Sequence, residues 1–336
     1  MRLSVLDQSP ISERSTGAEA LANTLDLARA CEALGYHRYW LAEHHGGPTL
    51  AGPSPEALIG PVAAATSTMR IGSGGVMLPH YSPFKVAETF SLLAGLFPGR
   101  IDLGLGRAAG TDPMTTFALQ RDRRQAGPDD FPEQLAELLA HYENAFPADH
   151  PFHRLAAALP GAPHQPDVWL LGSSAQSAIW AGQLGLPYAF ADFINADGAP
   201  IAELYRERFS GERLEHPAVA VAVWAICADT DEEAERIASS GRMTFAMLRQ
   251  GRLIPVPPPE KALRFLASQE NVPRRGVIGS PPKVRAGIEE IASRYGAEEV
   301  IVVNISYDHA ARRRSYELIA DVFDIAPRVP AAAHAG

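Results

Sequence analysis

Eight apolar runs separated by helix-like segments limit how this 336-residue chain can fold. They are Leu3–Ser9, His37–Ala42, Ile71–Leu78, Ile101–Gly106, Val168–Gly172, Tyr188–Phe193, Ala218–Cys227 and Val300–Ser306. Nearly all are apolar throughout rather than alternating, the pattern of parallel strands buried on both faces. Between them lie amphipathic segments with helix punctuation. Ala18–Leu34 ends at Gly35, Glu56–Ser67 follows Ser54-Pro55, and Phe84–Leu96 follows Ser82-Pro83. Ala175–Leu184 stops at Gly185, Asp231–Arg249 opens on acidic residues, and Lys283–Tyr295 stops at Gly296. Eight βα units in one sheet predict an α/β fold, a closed (β/α)8 TIM barrel, with a doubly wound open sheet as the competing arrangement.

A barrel of this kind reaches about 250 residues or more as one domain, so residues 1–326 are expected to form one unit. Residues 327–336 are expected to be a disordered tail. Two spacings, Arg107 to Asp167 and Ala228 to Glu299, exceed what one helix needs and predict insertions after strands 4 and 7. The second contains the proline-rich stretch Pro255-Val256-Pro257-Pro258-Pro259, a candidate lid. A net charge of −9 argues against a nucleic-acid surface. No apolar run reaches the length of a membrane span, and no signal peptide opens the chain, so a cytoplasmic protein is expected. Cys31 and Cys227 offer neither a disulfide framework nor a metal motif.

Chemistry in such a barrel belongs to the C-terminal ends of the strands. Strand 2 runs into Glu43-His44-His45 and breaks at Gly46-Gly47. Histidine exchanges protons near neutrality, and strand alternation would let one of the two face a pocket. Strand 3 carries Gly72, Gly74 and Gly75. A Gly-Gly pair there suits either backbone lying against something flat or relief of crowding inside the barrel. Arg107, directly after strand 4, suits a fixed cation for a phosphate or carboxylate. The preceding glycines do not match a dinucleotide fingerprint, because the third falls one residue late. Arg121, Arg123 and Arg124 read as a solvated cluster. Gly172-Ser173-Ser174-Ala175-Gln176-Ser177 sits where strand 5 meets a helix, and favours an anion at the helix N-terminus over plain capping. A metal hydrolase would need ligands converging from several strand ends. Besides the histidines only Asp7, Asp192 and Asp308 are in place, so no metal is expected.

Taken in order and spacing, these segments resemble the bacterial-luciferase-like flavin monooxygenase family, over essentially Leu3 to Asp324. The strongest points are Leu41-Ala42-Glu43-His44-His45 and Gly72-Ser73-Gly74-Gly75-Val76-Met77-Leu78-Pro79. Supporting ones are Gly99 to Arg107, Gly172-Ser173-Ser174 and Val277-Ile278-Gly279-Ser280-Pro281. The resemblance implies a flavin-dependent oxidoreductase, most readily a monooxygenase taking O2, a small organic substrate such as an aldehyde or ketone, and reduced FMN from a separate flavin reductase. It implies a cis peptide at Gly74-Gly75, with Val76, against the flavin ring. Arg107 contacts the flavin or its phosphate, and Gly172, Ser173, Ser174 and Ser177 surround that phosphate. His44 is the catalytic residue, and Gln8, Glu43 and Phe193 face the substrate. The family commonly forms homodimers through helices beside strands 2 and 3. The deazaflavin F420 in hydride transfer and a non-catalytic flavin-binding protein are the alternatives. Luciferases proper have a reactive cysteine where this chain has Gly106, so neither light emission nor the luciferase aldehyde is implied.

Overall fold

A computed structural model describes residues 1–107, 112–120, 130–269, 272 and 275–327. Its first half runs β1 (Arg2–Asp7), α1 (Gly17–Leu34), β2 (Arg38–Leu41), α2 (Pro55–Ala64), β3 (Arg70–Met77), α3 (Pro83–Leu96) and β4 (Ile101–Gly106). The excursion after β4 holds α4 (Pro113–Leu119), α5 (Phe131–Glu143) and α6 (His153–Ala156). Then follow β5 (Asp167–Gly172), α7 (Ala175–Gln183), β6 (Tyr188–Ala191), α8 (Ala199–Glu207) and β7 (Val219–Cys227). The last part holds α9 (Asp231–Arg249), α10 (Pro259–Ala267), β8 (Val277–Gly279), α11 (Pro281–Tyr295), β9 (Glu299–Val303) and α12 (His309–Val322).

Strands β1 to β7 pair in sequence order, all parallel, and β9 joins β7 to β1. The sheet therefore closes, and the eight-stranded barrel predicted from the apolar runs is present with its two insertions. The open sheet is ruled out by the β9–β1 and β6–β7 pairings. One strand was not foreseen. β8 pairs with only the upper part of β7, Ala225 to Cys227, and extends the wall of the mouth there. Arg121, Arg123, Arg124 and most of the expected tail, 328–336, lie outside the described residues.

Local chemistry explains the boundaries. Thr16 and Glu19 form a reciprocal capping box at the start of α1, and Gly35 ends it at φ 95°. Thr230 accepts from Glu233 N at the start of α9, whose first turn is acidic. The expected helix Glu56–Ser67 instead ends at Ala64, and Thr66 Oγ1 turns back to donate to Val62 O at 2.8 Å.

The barrel has two apolar compartments. The larger lies between strands and outer helices, and the smaller fills the interior with Leu6, Trp40, Trp169, Ala189, Ala220, Ala222, Ile301 and Val303. Charged groups plug the N-terminal end. Arg38 Nη1 meets Asp102 Oδ2 at 2.7 Å, its Nε meets Glu299 Oε1 at 2.6 Å, and Arg70 Nη2 meets Asp102 Oδ1 at 2.6 Å. Trp40 Nε1 also donates to Asp102 Oδ2, at 2.9 Å. That end is sealed, which leaves the C-terminal mouth for ligands.

The proline-rich stretch crosses that mouth. Val256 N donates to Ile11 O and Glu13 N to Val256 O, both at 2.8 Å, while Thr49 Oγ1 donates to Ile254 O at 2.7 Å. Prolines supply no donor, so the tie falls on the one valine among them.

Candidate active site

The loop after β2 begins one residue past Leu41, so pleat alternation no longer governs Glu43, His44 and His45. Hydrogen bonds to neighbouring loops place them instead. Ala42 N donates to Asp7 O at 3.0 Å and His44 N to Gly52 O at 2.9 Å. Glu43, expected beside the substrate, is fully buried. Its carboxylate takes His45 Nε2 at 2.7 Å, Tyr81 Oη at 3.0 Å and the Met77 amide at 2.9 Å. Glu43 thereby fixes the end of β3 to the loop that carries His44. Tyr81, Met77 N and the charged plug at the opposite end were not found from the sequence. Burial pushes the Tyr81 hydroxyl pKa up, and the Glu43 carboxylate adds to it.

His44 has a different environment. Its Nδ1 is buried and has no hydrogen-bond partner among the described residues. Burial, with His45 as a lesser cause, pushes its pKa down to about 4. The ring is therefore neutral near pH 7, with one enclosed nitrogen left for a ligand or substrate. Gln8, at the end of β1, is also buried.

The peptide between Gly74 and Gly75 is cis, as expected. The β3–β4 register shifts between Gly74 and Val76. A methyl group at Gly74 would meet Leu6 Cδ1 at 2.6 Å, and one at Gly75 would meet Leu171 Cδ1 at 2.6 Å and Gly104 O at 2.7 Å. The crowding explanation for this pair is thus realised by the barrel's own atoms. Val76 is buried next to it.

On the other side of the mouth, Ser174 is the exposed N-cap of α7 and makes no side-chain cap bond. The first amides of α7 accordingly face outward at its N-terminus. Arg107 is exposed, with its guanidinium 5.7 Å from the ring centre of Trp180 on the same helix. Arg107, which follows β4, thus rests against the helix that the serine turn opens. Ser173 O accepts from Asn195 Nδ2 at 3.1 Å. Ser177 is buried; its hydroxyl donates to Ser174 O at 2.8 Å and pairs with Tyr188 Oη at 2.9 Å, fastening the turn from beneath. A side chain at Gly172 would run into Ser177 Oγ. Phe193 packs edge-on against Trp224, ring centres 5.6 Å apart, at the top of the interior cluster.

The acidic strand-end residues have other partners. Burial alone would raise the Asp7 carboxyl pKa, but Arg312, with Tyr39 and the Ser9 amide, holds it below the ordinary range. Asp192 accepts from Tyr295 Oη at 2.8 Å, and Asp308 caps α12 through the Ala311 amide at 2.8 Å. Among the described residues no His, Cys, Asp and Glu grouping could hold a metal ion, and no helix is long and apolar enough to cross a membrane.

Known proteins resemble this chain over nearly its whole length. The luciferase-like monooxygenase of Escherichia coli strain K12 is 42% identical over 327 residues, covering 95% of this chain and 96% of its own. The N-acetyl-S-alkylcysteine monooxygenase of Bacillus subtilis strain 168 is 37% identical over 338 residues, covering 98% of this chain and 100% of its own. The crystal structure of apo-MsnO8 superposes with a TM-score of 0.90 at 39% identity, over 97% of this chain and 99% of that one. The family model for luciferase-like monooxygenases matches residues 1–299. With the closed barrel and these full-length relatives, the chain belongs to the luciferase-like monooxygenase family.

Proposed function

We propose that the protein is a monooxygenase that uses reduced FMN and O2 to oxygenate a small organic substrate. The observation that carries this reading is the layout of one rim. A neutral histidine with an enclosed, unpartnered Nδ1 shares the mouth with a cation and an open helix N-terminus. The residues fit the cofactor. Ser173, Ser174 and the first amides of α7 would hold its phosphate together with Arg107, while Gly172 and Ser177 shape the turn. Gly74, Gly75 and Val76 would lie along the ring. When bound, the reduced flavin supplies the two electrons with which one atom of O2 enters the substrate and the other becomes water.

The chain's own residues do the rest. His44 holds or moves a proton at Nδ1, and Glu43 keeps its loop in place from beneath. Gln8 and Phe193 bound the substrate side, and the Val256 crossing excludes water. A separate flavin reductase provides the reduced cofactor. Two copies associate through helices beside β2 and β3, where Leu92 and Leu96 of α3 are exposed.

The phosphate contact gives the direct test. FMN binds much more tightly than riboflavin in calorimetry, because charge-assisted hydrogen bonds are worth about 1.5–3 kcal/mol each. Arg107→Ala weakens FMN far more than Arg252→Ala does. Equal affinities for FMN and riboflavin would remove the phosphate site. Hydride transfer to F420 without O2 consumption would give the site to the deazaflavin.

A further inference from the structure

Inward positions along β7 run Ala220, Ala222 and Trp224, two alanines beneath one indole. Ala222 is the last residue that β7 pairs with β6, and Trp224 pairs with Val303 of β9. The indole therefore stands at the top of the barrel interior. Every other residue of β7 is buried, and Trp224 alone keeps part of its surface open. It packs on the same apolar cluster as Leu171, whose Cδ1 lies 2.6 Å from where a methyl group at Gly75 would sit. The indole and the proposed flavin face thus border one interior.

Trp224 is held in place from two sides. Phe193 meets it edge-on, ring centres 5.6 Å apart. Gly276, at φ 96°, brings its backbone so close that a side chain there would come within 2.6 Å of Trp224 Cβ. Beyond the indole, between β7, β8 and α9, is a small cavity that encloses about 50 Å3. Ile226, Ala238, Phe245 and Ile278 give it apolar walls. Its two arginines are already engaged, Arg242 with Glu235 at 3.2 Å and Arg275 with the Ile194 carbonyl at 2.9 Å and the Asp192 carboxylate. Trp224 belongs both to the lining of this cavity and to the packing of the interior, so it is the partition between them.

We infer that Trp224 sets the length of substrate that the site accepts: an apolar arm runs over Ala222 and stops against the indole. The arm is uncharged, because a charge among these side chains would be buried without a partner. The inference rests on the monooxygenase reading for what happens to the bound molecule, but the length limit is read from binding alone.

The probes are the straight-chain methyl ketones from 2-butanone to 2-undecanone. They are titrated calorimetrically into the full-length protein, with and without FMN. Each methylene that becomes buried tightens binding about fourfold. In the parent protein that gain ends at one chain length. In Trp224→Ala it continues for two or three further methylenes, about 15- to 60-fold in all. Trp224→Phe extends it by about one methylene, which keeps the test open should the alanine variant fail to fold. Ala238→Leu, which fills the cavity behind, restores the limit in the Trp224→Ala background and leaves the parent series unchanged. An unchanged limit in the Trp224 variants, a gain without limit in the parent, no binding of any ketone, or a limit that Ala238→Leu moves in the parent overturns the inference. Failure of FMN to bind, with the length limit intact, would count against the flavin reading alone. An unchanged limit in Trp224 variants that bind FMN would count against the role of Trp224 alone.

Discussion

His44→Ala lowers turnover by about 10²- to 10⁴-fold, the range that a positioned acid–base group contributes, and leaves FMN affinity nearly unchanged. Stopped-flow oxidation by the reduced-flavin protein, over a panel of aldehydes, ketones and organic acids, measures it. A variant that oxidises substrate at the parent rate would take His44 out of the chemistry. The same residue sets a pH signature. Its folded pKa lies near 4 and its ordinary value is 6.5, so the unfolded chain takes up the proton first. Its contribution to stability is therefore complete above about pH 6.5, is lost as pH falls toward 4, and is constant below that. The size is on the order of 3 kcal/mol, and the alanine variant lacks it. His45→Ala, by contrast, breaks the bond to Glu43 and acts on stability rather than on turnover.

Asp102→Ala has the largest expected effect on folding. The substitution strips Arg38, Arg70 and Trp40 Nε1 of a common acceptor inside the sealed end of the barrel. Leaving a buried charge without its partner costs about 3–5 kcal/mol. A urea unfolding midpoint reports this loss. Turnover per folded molecule stays at the parent level, because the plug and His44 occupy opposite ends of the barrel. A loss below about 1 kcal/mol would mean that the plug contributes little to holding the barrel together.

The strands were legible because burial on both faces writes itself as an unbroken apolar run, as in Val300, Ile301, Val302 and Val303. β8 was not, since three residues between two turns carry no periodicity, and its place depends on Ala225–Cys227, far away in the chain. The site divides similarly. His44, Arg107 and Ser174 were singled out because each lies within three residues of a strand end, and a closed parallel barrel brings such ends to one rim. The environment of Glu43 was not legible. Its partners Met77 and Tyr81 lie 34 and 38 residues away, and only the fold decides that all three donors converge. Asp102 drew no notice beside the glycines that precede Arg107, whereas it holds Arg38 across 64 residues. The Gly74-Gly75 pair was located correctly, and the atoms that would crowd a side chain there are Leu6, Trp40, Leu171 and Gly104.

The loop after β1 and the loop carrying His44 are themselves stitched together, by Ile11 N to Thr49 O at 2.8 Å and Ala51 N to Ser9 O at 2.9 Å. The crossing strap then fastens to both, through Val256 and Ile254. Ile254 packs at its far side on Met243 and Met247 of α9. Three loops from distant parts of the chain are thus tied into one hydrogen-bonded unit, with a helix as its stem. The position of the histidine therefore depends on the anchorage of the strap at α9 as well as on the strand from which its own loop departs.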